Sequence, residues 1–115
     1  MAVSHTLVVP LQISSALAAL QERSIRGERL LEQDIVSAIE ADIASGTVVS
    51  EVFLSKFVAS NRSVSVGAIE SLICQLQAKM SAVLLNSPDL FLSYGKATAF
   101  LARELRRRTT ALHLV

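Results

Sequence analysis

Apolar residues recur along this chain at helical spacing, not at the alternating spacing of strands. Leu31, Ile35, Ile39 and Ile43 stand four residues apart, with Val36 and Ala38 beside them. That spacing lines one face of an amphipathic helix. Upstream, Leu17, Leu20 and Ser24 fall near one face, among the strong helix formers Ala16, Ala18 and Ala19. Gly27 lies between the two patterns, so residues 11–44 read as one long helix or as two. Two helices with a joint or bend at Gly27 are the expectation. Ser45-Gly46 ends the run, because glycine suits the left-handed C-cap.

Beyond that glycine, Thr47 is the expected N-cap of a helix whose apolar face is Val49, Val52, Phe53 and Phe57, ending near Ser60-Asn61. Ser63 or Ser65 then caps the next. There Val66, Ile69, Ile73, Leu76, Met80 and Val83 step alternately by three and four, a heptad seam widened by Leu72 and Leu84. Asn86 ends it. Ser87-Pro88-Asp89 is the clearest start signal in the chain, with a capping serine, proline at the first helical position and an acid at the positive end of the dipole. Leu90, Tyr94, Ala97, Leu101 and Leu105 line the last helix, beside the small residues Gly95, Ala99 and Ala102.

Arg106, Arg107 and Arg108 close that helix at its negative end. The weak helix formers Thr109-Thr110 predict fraying there. Ala111, Leu112, Leu114 and Val115 are too apolar to be left in water, and docking on a neighbouring chain is expected. Residues before Pro10 read as extended, since the residue preceding proline avoids the helical region. The organisation is an N-terminal arm over 1–10 and a single helical domain over 11–115. Its fold class is all-α, a small bundle of four to five helices.

Composition adds an oligomer to this picture. The chain has 115 residues, 51% hydrophobic and 18% charged, which supplies enough apolar surface for one folded core and too few residues for two. A mean hydropathy of +0.49 in so small a chain points to apolar surface covered by another copy, hence a homodimer. Six acids oppose one base between Glu28 and Glu51, whereas eight bases oppose three acids from Val52 onward. Halves of opposite sign attract, within one chain or across a two-fold axis. The lone Cys74, among Leu72, Ile73 and Leu76, reads as a small buried hydrophobe and fits a reducing compartment. Met1 to Leu20 carries no charge, yet it lacks a basic leader and is diluted by Ser4, His5, Thr6, Gln12, Ser14 and Ser15. No signal peptide, no membrane span and a cytoplasmic location are the expectation.

Candidate chemistry is sparse. His5 and His113 lie near opposite termini, and no Cys/His spacing for zinc or Glu-x-x-His pair appears. The four glycines form no phosphate loop, and no serine stands in a nucleophile elbow. Glu28 and Glu32 share a solvated helix face. The chain therefore reads as a non-enzyme without metal or cofactor. A helix-turn-helix across Ser50 to Gln77 would begin its recognition helix Val66-Gly67-Ala68-Ile69-Glu70-Ser71, which offers no base-reading side chain.

The expected function is stoichiometric protein binding, of the kind performed by small regulators, adaptors, anti-activators and chaperones. Its interaction surface is Val66, Ile69, Ile73, Leu76, Met80 and Val83 with Leu112 and Leu114. The alternative is a nucleic-acid-binding dimer using Arg23, Arg26, Arg103, Arg106, Arg107 and Arg108 as phosphate contacts.

Overall fold

A computed structural model describes residues 15–114, with side chains through Thr110. The expected arm over 1–10 lies outside the described residues. Five α-helices follow one another among the described residues: α1 Ala16–Ile25, α2 Glu32–Ser45, α3 Glu51–Leu54, α4 Val66–Val83 and α5 Pro88–Leu114. No strand occurs among the described residues. A π-helical turn, Ser55–Ala59, prolongs α3 and is closed by a bond from the Ser60 N–H to the Ser55 carbonyl.

The joint at Gly27 is a full break. Gly27 has φ 85° and Gly46 has φ 76°, the two left-handed residues of the described backbone. Each closes its helix with the same pair of bonds. Gly27 and Glu28 donate to Ser24 and Arg23, while Gly46 and Thr47 donate to Ile43 and Asp42. This is the Schellman arrangement, and it needs a residue that carries no Cβ penalty at positive φ.

Three helix starts are capped by serine. Ser15 accepts from Ala18 N–H, Ser50 from Val52 and Ser65 from Ala68. Ser50 thus replaces the expected Thr47, whose hydroxyl instead lies 2.9 Å from that of Ser45. Helix α2 begins without a side-chain cap at Leu31, and the Asp34 carboxylate accepts the Leu31 N–H at 2.9 Å. That position also explains why Leu31 is exposed although it continues the apolar spacing: it lies outside the helix whose face it would extend.

The core collects one face of each helix: Leu17 and Leu20, Ile35, Ile39 and Ile43, Leu54, Phe57 and Val58, Ile69, Leu72 and Leu76, and Tyr94, Ala97 and Leu101. Helices α4 and α5 form the most extensive pair. They approach where Gly95 leaves room for Met80, whose methyl lies 3.5 Å from the position a Cβ on that glycine would take. Val52, expected on the apolar face of α3, is 74% exposed, because the short helix turns Leu54, Phe57 and Val58 inward.

Asp42 joins these layers although it is 2% exposed. Its carboxylate accepts the Ala16 N–H at 2.7 Å and the Leu17 N–H at 3.1 Å, so a side chain of α2 caps the N-terminus of α1. Two free amides and the positive helix end satisfy a buried charge that would otherwise be costly. One turn away, the buried Tyr94 hydroxyl of α5 donates to the Thr47 carbonyl at 2.8 Å. Burial, reinforced by the charge of Asp42, pushes the Tyr94 phenol above its usual range.

Replacing Asp42 by Ala strips α1 of this cap and leaves the Leu17 amide buried without a partner. A loss of about 2–3 kcal/mol in urea unfolding is expected. A loss within experimental error would show that α1 does not depend on the contact.

Candidate interaction surface

The heptad seam of α4 turns inward. Ile69 and Leu76 are fully buried, and Val66, Ile73, Met80 and Val83 are half-buried. Ile73 and Met80 pack against the core of their own chain. Ile69 and Leu76 are thus inside the bundle, where α5 makes the main contact with α4, and the other four are partly covered. Leu112 and Leu114 fall on residues whose side chains lie outside the described set. The helix itself does not fray at Thr109-Thr110: α5 continues through Leu114, and the Thr109 hydroxyl bonds back to the Leu105 and Arg106 carbonyls.

Four of the six arginines are held in ion pairs. Arg23 and Arg26 both bond to Glu28, across the turn that follows α1, and Arg23 lies 3.7 Å from Asp34. Arg23 holds the Glu28 carboxyl below the usual carboxylate range, with help from Arg26. The Arg108 side chain is 16% exposed and serves the fold. It donates to Glu104 at 2.7 Å, to the carbonyl of Val58 at 2.7 Å and of Asn61 at 3.2 Å, and to the Val64 carbonyl. These carbonyls belong to the end of the π-helical turn and to the loop before α4. Arg108 therefore ties the last helix to the α3–α4 connection. Arg107 also donates to Glu104, at 2.6 Å, and to the Ala59 carbonyl.

Arg103 and Arg106 are left. Both are exposed and neither pairs with a carboxylate among the described residues. Arg103 lies over the Phe100 ring at 5.8 Å. The ion pairs of the described residues join acids and bases of the same half of the chain, so the opposed halves do not draw together through them.

The buried carboxylates are both committed, Asp42 to the α1 amides and Glu104 to two guanidinium groups. Burial alone would raise the Glu104 carboxyl. The bonds from Arg108 and Arg107 outweigh it and hold the group below its usual range. Neither acid is arranged for proton transfer to a substrate.

The outward faces show what apolar periodicity missed. On α4, opposite the seam, Gly67, Ser71, Cys74, Ala78 and Ser81 step by four and three, Leu85 continues the spacing just beyond the helix, and all are exposed. Cys74 is therefore on the surface, not in the core: Leu72 and Ile73 turn inward and the next position points away. Its sequence neighbours were apolar, but a helix turns by about 100° per residue, so neighbours do not share a face. Among the exposed residues of α4 from Gly67 to Ala82, Glu70 alone carries a charge. Leu84 and Leu85, the latter 90% exposed, end this face. On α5 the corresponding outward row is Leu92, Lys96, Ala99, Arg103, Arg106 and Thr110. Both rows were present in the sequence as heptad spacing, of small residues in one case and of mixed apolar and basic residues in the other.

The Glu104 pair gives a pH dependence with a definite sign. A carboxyl whose pKa is lowered on folding stabilises the protein above its unfolded value, roughly 4.3, and that contribution disappears as pH falls through the folded value. Stability should therefore decline on acidification below about pH 5, and Glu104→Gln should flatten that decline while lowering stability at neutral pH. Arg108→Ala, which leaves a buried carboxylate and several carbonyls without their donor, should cost about 3 kcal/mol in denaturant unfolding. An Arg108→Ala protein as stable as the parent would contradict the structural role. Comparison of the chain with protein-family models, with curated proteins and with solved structures returns no match.

Proposed function

We propose that this chain is a non-enzymatic protein-interaction module that works by stoichiometric binding and is itself a homodimer. The observation that carries this reading is the outward face of α4. A surface helix ordinarily presents charged side chains to water. This one presents Gly67, Ser71, Cys74, Ala78 and Ser81 over more than four turns and finishes on exposed leucines. Small residues at heptad spacing let a second helix approach closely, and a face crossed by its own copy about a two-fold axis is self-complementary. The one charge among its exposed residues, Glu70, lies near one end, away from a crossing centred between Cys74 and Ala78.

Both buried acids are already committed to structural bonds, which supports binding over catalysis. The reading calls for no cofactor. No helix among the described residues is long and apolar enough to cross a membrane. A cytoplasmic location is part of the proposal, and the lone Cys74, which fits a reducing compartment, supports it.

Nucleic-acid binding is the second reading. It draws support from Lys96, Arg103 and Arg106, which are exposed and have no carboxylate partner among the described residues. The other four arginines of that proposal, Arg23, Arg26, Arg107 and Arg108, are held in ion pairs.

Light scattering at micromolar concentration tests the favoured reading. The parent should have twice the 12.4 kDa chain mass, and Ala78→Arg, at an exposed position that the fold does not use, should give a folded monomer. A parent that is monomeric, or a dimer that Ala78→Arg leaves intact, would overturn the proposed dimer face.

A further inference from the structure

The outward face of α5 differs from that of α4 in its chemistry. Leu92, Lys96, Ala99, Arg103, Arg106 and Thr110 are all exposed, at spacings of four and three. They fall within about 80° of one another around the helix and span about 27 Å along it. Leu92, 60% exposed, and Ala99 are one heptad apart, with cations between and beyond them. Two open concavities of about 390 and 300 Å³ lie along the basic half of this helix, and Arg103 and Arg107 line both. From Phe91 to Thr110 the one acid is the buried Glu104, so every charge on the exposed surface is positive.

We propose that this face is a docking site for an acidic amphipathic helix of a partner protein. The inference rests on the interaction-module reading but uses a surface separate from the α4 face. Charge complementarity chooses the occupant. Carboxylates of a partner helix spaced by three and four residues meet Lys96, Arg103 and Arg106, while its apolar row rests on Leu92 and Ala99.

A second copy of the chain does not fit this description. Its exposed acids are scattered over separate elements (Glu22 on α1, Glu51 on α3, Glu70 on α4, Asp89 on α5), and Glu28 is already paired with Arg23 and Arg26. A nucleic-acid duplex fits less well. Tight phosphate binding commonly draws on roughly 6–10 contacts, against three uncommitted cations on this face, and phosphates would gain nothing from Leu92 or Ala99.

The test uses three fluorescent probes with the full chain: a three-heptad synthetic peptide with leucine at its seam and glutamate flanking it, the same peptide with lysine for glutamate, and a short RNA duplex. The parent should bind the glutamate peptide, more weakly as salt rises, and should not bind the lysine peptide. Arg103→Glu with Arg106→Glu should weaken that binding on the order of tenfold or more and create binding to the lysine peptide. Leu92→Asp should weaken it as well. Both residues of the charge-reversed variant are exposed, and circular dichroism confirms its folding. Should it not fold, Lys96→Glu takes its place.

Equal binding of a scrambled glutamate peptide, or binding that survives charge reversal, would overturn the proposal. RNA binding without peptide binding would overturn it in favour of phosphate recognition. A peptide that fails to bind while the parent remains an Ala78-dependent dimer overturns this inference alone. A monomeric parent that binds the peptide overturns the dimer face alone.

Discussion

A charged side chain in the interior has to find donors that were themselves going to be left unpaired. Asp42 meets that condition, since the first amides of any helix lack intrahelical partners. By accepting from Ala16 and Leu17, its carboxylate sets where α1 begins relative to the last turns of α2. The same residue's carbonyl closes the C-terminal motif of α2 through Thr47, and the Thr47 carbonyl in turn receives the Tyr94 hydroxyl. Three helices are thus placed against one another around a single buried acid, and the apolar faces of Leu17, Ile39, Ile43 and Tyr94 are brought into one core.

A second polar centre secures the other end of the bundle. Glu104 and Arg108 share a helix, so their pairing needs no tertiary contact, but the donors Arg108 has left over reach carbonyls around the α3–α4 connection. A loop that follows a π-helical turn has backbone acceptors without regular partners, and a guanidinium with five N–H groups can serve several of them at once. This arrangement explains why the arginine cluster at the end of α5 is not a uniform basic patch. Arg108 is drawn into the body of the protein and Arg107 reaches Glu104 and the Ala59 carbonyl from a largely exposed position, while Arg103 and Arg106 remain in water.

The long helices α4 and α5 therefore have two faces each, with distinct physical tasks. Their inward faces pack Ile69, Leu72 and Leu76 against Tyr94, Ala97 and Leu101. Their outward faces diverge: α4 is small and nearly uncharged, α5 is basic with two apolar positions. The two buried acids are engaged on the inward side, at Asp42 and Glu104, so the contrast in size and charge between the helices lies wholly on their outward faces.

The sequence by itself determined the helices and most of their ends. Period-3.6 spacing located α2, α4 and α5, Ser87-Pro88-Asp89 marked the start of α5, and Gly27 and Gly46 stand at the two positions that require positive φ. These features are local, because a helix face, a cap and a left-handed residue depend on neighbours within a turn or two. Which residues were left outside depended on packing. The seam from Val66 to Val83 read as a surface for a partner, whereas in the structure α5 packs against α4 and Ile69 and Leu76 are buried in the chain's own core. Cys74 and Val52 looked apolar by their neighbours and proved exposed by their angle on the helix. The Asp42–α1 cap and the reach of Arg108 to Val58 and Asn61 join residues 25 to 50 positions apart. No periodicity encodes such contacts. They arise when burial leaves a charge and an unpaired backbone group within reach of each other, and only the tertiary structure brings them there.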